Sequence, residues 1–126
     1  MEHLKGLNIA EVKKQMWANA TERCNKYIDE HLGGKDILAC GFGWVTVYPK
    51  HKGNTKEGRH ERKILRQLGF EVSYDKTFTL YSPYKECFQA RGQYFQNVDC
   101  QLEAAKGMAD ILSSVGFDAY GSSRLD

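Results

Sequence analysis

FEVSYDKTFTLYS, residues 70–82, is the stretch on which the fold turns. Two runs rich in aromatic and β-branched residues flank Asp75-Lys76, a plausible tight turn, so the segment predicts a β-hairpin. Tyr74, Phe78 and Leu80 alternate along it and read as packing residues. What lies on either side of this hairpin then sets the topology.

Upstream, residues 55–68 predict a helix. Asn54 or Thr55 caps it, Ile64, Leu65 and Leu68 face inward, and Gly69 stops it. Before it, ILACGFGWVTVY (37–48) predicts a strand closed by Pro49. Gly41 and Gly43 interrupt its side-chain pattern, as glycines do at a bulge or a close backbone approach. Residues 8–32 predict a long helix. Asn8 and Glu11 form a capping box, and Ile9, Val12, Met16, Ala20, Cys24, Tyr27, Ile28 and Leu32 make one apolar stripe. Gly33-Gly34 ends it.

Downstream, residues 83–96 show no clean period and predict a loop. Asn97 or Asp99 caps a further helix with Val98, Leu102, Ala105, Ala109, Leu112 and Val115 inward and Gly116 at its end. FDAYG (117–121) predicts a short last strand. The tail GSSRLD either brings Ser122, Ser123 and Arg124 together at the strand's end or frays, and fraying is the default for a terminus.

The order is therefore a helix followed by β-α-β-β-α-β. The last six elements have the order of the ferredoxin-like split βαβ unit, an antiparallel sheet with two helices on one face. The expectation is one α+β domain over residues 1–126, with an N-terminal helix (1–34) added to a sandwich (35–126). That helix has three roles open to it: covering a sheet edge, covering the open sheet face, or joining two copies as a homo-oligomer.

A chain of 126 residues fits one domain, and at 41% hydrophobic and 12% aromatic it can bury a core. The net charge of +2 gives no strong long-range steering. Charge is nevertheless uneven. Residues 50–66 hold Lys50, Lys52, Lys56, Arg59, Arg62, Lys63 and Arg66 against Glu57 and Glu61.

YPKHKGNTKEGRHERK (48–63) is the densest part of that segment. A strand end, a loop with Gly53 and Asn54, and a helix start leave backbone N–H groups and the positive end of a helix dipole open to an anion. Arg59, Arg62, Lys63 and Arg66 share one helix side, and arginine holds phosphate through paired hydrogen bonds. The candidate ligand-binding residues are thus Tyr48, Lys50, His51, Lys52, Asn54, Arg59, Arg62, Lys63 and Arg124. The competing reading is a solvated face on which Glu57 and Glu61 supply exposed ion pairs. Gly53 to Gly58 has Walker spacing, but Arg59-His60 follows where Lys-Ser/Thr is required. The partner such a surface takes is a nucleotide or nucleic acid, with Tyr48, Tyr81, Tyr84, Phe88, Tyr94 and Phe95 as candidates for stacking on bases. Trp44 reads as core rather than stacking.

Other chemistry is disfavoured. No apolar run reaches the ~20 residues of a membrane span, and the N-terminus lacks the apolar centre of a signal peptide, so the expectation is a cytoplasmic protein. Cys24, Cys40, Cys87 and Cys100 are expected as thiols there, with Cys40 buried in its strand. His51 and His60 lie in no metal-ligand spacing, so neither a metal nor a cofactor is expected. Glu61-Arg62-Lys63 matches half of a nuclease Glu-x-Lys site, with Asp36 as a partner, but falls on a helix.

CGFGWVTVYP (40–49) together with the C-terminal helix, Gly116, Ala119, Tyr120 and Ser123-Arg124-Leu125-Asp126 resembles a group of small tailed-bacteriophage proteins. These share a Cys-Gly-Phe-x-Trp-Val strand and a Ser-Arg-Leu-Asp ending. The resemblance covers residues 37–126 and carries no catalytic role. It implies an accessory protein acting in the bacterial cytoplasm. The function expected is non-enzymatic binding of a phosphate-bearing ligand through the basic loop and helix. The alternative is a protein-interaction module or inhibitor of a host protein.

Overall fold

The computed structural model describes residues 6–35, 37–81 and 96–125. The loop expected at 83–96 lies outside these residues except for Gln96, as do Asp36, Cys87, Tyr84, Phe88, Tyr94 and Phe95.

The described chain runs α1 (Ile9–His31), β1 (Gly41–Tyr48), α2 (Lys56–Gln67), β2 (Glu71–Val72), β3 (Phe78–Tyr81), α3 (Val98–Ser114) and β4 (Asp118–Leu125). Each helix starts on a side chain that satisfies one orphan N–H. Asn8 accepts from Glu11, Thr55 from Gly58, and Asn97 from Cys100. Gly33 and Gly34, both at positive φ, turn the chain out of α1.

The strands form one antiparallel sheet in the order β2-β3-β1-β4. The protein is thus α+β, with one four-stranded antiparallel sheet and three helices among the described residues. The expected hairpin is present over residues 70–81, though its strands are short. Ser73 through Thr77 form the turn, closed by Ser73 N–H on Thr77 O at 2.7 Å, with Lys76 in the left-handed region. Asp75 fastens it by accepting the Thr77 hydroxyl and N–H at 2.6 and 3.2 Å. Tyr74, expected to pack, sits at the tip and is fully exposed, whereas Phe78 is buried.

Two strand boundaries differ from expectation. β1 begins at Gly41 rather than 37, because Leu38 adopts a left-handed backbone (φ +69°) that breaks the extended run. Cys40, expected in the core, is therefore exposed just ahead of the strand. β4 runs to Leu125 rather than ending at 121, pairing residue for residue with β1 from Tyr48↔Asp118 to Gly41↔Leu125. Up to Leu125, the tail expected to fray belongs to a strand at the sheet's edge among the described residues, held to β1 by a full ladder.

Glycines set the layer spacing. Gly41 and Gly43 of β1 and Gly121 of β4 lie directly beneath α3. A Cβ on Gly43 would stand 2.6 Å from the Gln101 carbonyl oxygen, and one on Gly121 would stand 2.7 Å from the Lys106 nitrogen. On top, Gly107 lets α1 approach: Asn19 Nδ2 donates to Gly107 O at 2.7 Å, and Arg23 reaches Asp110 at 2.6 Å. α1 therefore covers α3, not a sheet edge or the open sheet face. α3 is buried toward the sheet and toward α1, which is why Cys100, Gln101, Ala104 and Met108 are interior while the expected Leu102 and Val115 are half-buried. One apolar cluster joins the α1 stripe to Val45, Val47, Leu65, Phe78, Met108 and Ala119. No helix among the described residues is long and apolar enough to cross a membrane.

Candidate functional site

The basic segment comes first. Pro49 ends β1, and the loop 50–54 folds back onto α2 through Glu61. This carboxylate is fully buried, not the exposed ion-pair member expected. It accepts the Lys50 N–H on both oxygens, at 3.1 and 3.0 Å, and the His51 N–H at 3.1 Å. Arg62 completes the clasp: its Nη1 donates to His51 O at 2.8 Å and to Gly58 O at 3.0 Å. Gly58 fits beneath the Lys52 carbonyl, where a Cβ would clash. Thr55 Oγ1 bonds Lys52 O at 2.6 Å, and Arg59 donates to Asn54 O at 3.1 Å.

The consequence is chemical. Two of the loop N–H groups, those of Lys50 and His51, already hold an internal carboxylate, and Arg62 is spent on carbonyls. Lys50, Lys52, Asn54, Arg59 and Lys63 are exposed around this clasp, and His51 is half-buried within it. Arg124 is not there. It pairs with Phe42 at the far end of β1 from Tyr48, six residues or about 20 Å away at the usual strand rise. Cys40 and His51 flank opposite ends of β1, so they form no thiol–imidazole pair. Among the described residues no three His, Cys, Asp or Glu converge as metal ligands.

The second feature is the sheet face away from the helices. Since Gly41, Gly43, Val45 and Val47 face α3 and the core, Phe42, Trp44, Thr46 and Tyr48 share the other face. Thr79 and Tyr81 join them from β3, and Tyr120, Ser122 and Arg124 from β4, by the strand registers. No described element covers them. Tyr81 is 67% exposed, Tyr120 55%, Tyr48 47% and Phe42 38%. Trp44 and Tyr81, on the two central strands, have ring centroids 5.8 Å apart and tilted. Tyr48 and Tyr120 meet edge to face at 5.8 Å. The Arg124 guanidinium lies 6.0 Å over the Phe42 ring. A shallow cleft of about 500 Å3 runs from Trp44, Tyr48 and Ser122 to the hairpin turn, with hydroxyls from Thr46, Ser73 and Thr79. Asp118, through a hydrogen bond to the Tyr120 hydroxyl and then through its charge, raises that phenol above the usual tyrosine range.

Sequence reasoning named Tyr48 and Tyr81 as stacking candidates, but beside the basic loop and helix rather than on this sheet face. It placed Trp44 in the core and passed over Phe42 and Tyr120 for stacking. The missing signal was the glycine pair: if Gly41 and Gly43 form the seat for a helix, the bulky residues between them must point the other way.

No protein-family model matches the chain, and comparison with curated proteins and with solved structures returns no match.

Proposed function

We propose that this protein is a non-enzymatic binder of single-stranded nucleic acid, with bases stacked on the open sheet face. The carrying observation is the aromatic set Phe42, Trp44, Tyr48, Tyr81 and Tyr120 on one uncovered face, interleaved with hydroxyls rather than aliphatic side chains. Every base offers a π-face to a tyrosine or tryptophan, and the hydroxyls of Thr46, Ser73 and Thr79 beside the rings suit the polar edges of bases. Aromatics on the central strands of a four-stranded sheet are the arrangement by which such sheets stack two or three bases.

The finer fold reading belongs with this proposal. The order β-α-β-β-α-β, with β1 central beside β3 and β4, supports the ferredoxin-like arrangement. Lys50 and Lys52, exposed where β1 delivers Tyr48 to the loop, are the cations placed to meet phosphates leaving the platform. Arg59 and Lys63 extend that charge along α2. The phage resemblance of residues 37–126 supports an accessory role in a bacterial cytoplasm.

The test uses the intrinsic fluorophore. Trp17 and Trp44 are the chain's two tryptophans, so a Trp17→Phe background leaves Trp44 as the reporter. Titration with oligo-dT and oligo-U at low salt quenches Trp44 and raises the anisotropy of a labelled strand. Absence of both responses would overturn the reading, and quenching by a mononucleotide alone would replace nucleic acid with a small nucleotide.

A further inference from the structure

We infer that β4 pairs antiparallel with β4 of a second copy, joining two four-stranded sheets into one sheet of eight strands. β4 is an edge strand of eight residues, Asp118–Leu125, with an unbroken register to β1 on its inner side. Protected edges carry a proline, a lysine, a bulge or a very short strand. The opposite edge, β2, has only two residues. Among the described residues, β4 carries no proline, lysine or bulge and no described element covers its outer side; its two charges, Asp118 and Arg124, are of opposite sign.

Its sequence, DAYGSSRL, is complementary to itself. Pairing about Gly121 sets Gly121 against Gly121, Tyr120 against Ser122, and Ala119 against Ser123. Asp118 then lies opposite Arg124 of the second copy, twice by symmetry. All four of these charged side chains are on the open face, since Asp118, Tyr120, Ser122 and Arg124 alternate with Ala119 and Gly121. Opposite charges directly across a strand pair stabilise it, and a register shifted by two residues in either direction loses both contacts. On the helix side, Leu125, 64% exposed, falls beside Phe117 of the other copy.

The helices permit the approach. α3 rides over β1 and β4, against Gly41, Gly43 and Gly121, so its axis lies inside the edge by about half a strand spacing. Adding the ~4.8 Å between paired strands puts the two α3 helices about 10 Å apart, an ordinary interaxial distance. Lys106, whose nitrogen sits above Gly121, comes near its own copy. The Glu103 carboxylate 3.9 Å from its ammonium offsets that meeting.

The test is sedimentation equilibrium of the full chain up to sub-millimolar concentration. Wild type is expected to approach twice the 14.4 kDa chain mass. Arg124→Asp sets two aspartates opposite each other and is expected to weaken the dimer on the order of a hundredfold. The double variant Asp118→Arg with Arg124→Asp restores opposite charges and the dimer. Circular dichroism checks folding, and Asp118→Arg alone serves as the single variant if Arg124→Asp does not fold. A monomeric wild type overturns the inference, and so does a dimer indifferent to both single reversals.

Discussion

The Glu61 carboxylate grips the Lys50 backbone N–H with both oxygens, at 3.1 and 3.0 Å. The densest cationic segment of the chain is thus organised around a buried anion of its own. Hydrogen bonds to a charged acceptor contribute about 1.5–3 kcal/mol each when a partner is removed. Glu61→Gln keeps the shape but turns an amide donor toward backbone donors. It is expected to lower unfolding free energy by about 2–3 kcal/mol in urea denaturation. Asp at 61 is too short to reach both N–H groups and should not rescue it.

Gly43→Ala is expected to be among the most damaging single changes. The new methyl meets backbone, at 2.6 Å from Gln101 O and 2.8 Å from Gln101 C, and backbone cannot rotate away. Overpacking costs about 1–3 kcal/mol, and contact with fixed backbone puts this change at the upper end. Thermal unfolding should show it directly. Gly53→Ala, where the nearest atoms belong to the Arg62 side chain at 3.4 Å, should be far milder.

On the open face the expectation reverses, with binding lost and stability kept. Tyr81→Ala and Trp44→Ala each remove one stacking surface, worth about 1–3 kcal/mol per base. The oligonucleotide dissociation constant should rise about 5- to 150-fold per substitution, with little change in melting temperature for the exposed Tyr81. Lys50→Ala with Lys52→Ala should flatten the salt dependence by about 1.4 in log–log slope, at roughly 0.7 per phosphate contact on a single strand.

Much of the fold was legible because local chemistry and global packing agreed. The caps Asn8, Thr55 and Asn97 and the Asp75-Lys76 turn all act at short range, and short-range signals survive in sequence. The site was harder. Hydropathy places Trp44 inside, and only the seat of α3 on Gly41 and Gly43 reverses that. Glu61 looked like a surface charge because the N–H groups that bury it lie ten and eleven residues away. Cys40 looked interior because Leu38 gives no sequence sign of its left-handed turn.

Asp75 supplies a pH test. The Thr77 hydroxyl, then the Thr77 N–H, hold its carboxyl below the ordinary aspartate value. Its folded pKa is lower than its unfolded one, so its contribution is fully present above the unfolded value of about 3.9 and is lost as pH falls through the folded value. A carboxyl 13C titration should place the midpoint below that of a model peptide. Thr77→Val removes the hydroxyl and should move the midpoint part of the way back, the N–H bond remaining.

The glycine seat also divides the molecule in time. With α3 pressed on the backbones of β1 and β4, none of the three can slide without the others, so their inner amides should exchange with solvent only through global opening. β2, two residues long and exposed, has no such anchor. Hydrogen exchange should therefore resolve two clocks: a slow one for β1, β4 and the inner side of α3, and a fast one for β2 and the hairpin turn that borders the aromatic face.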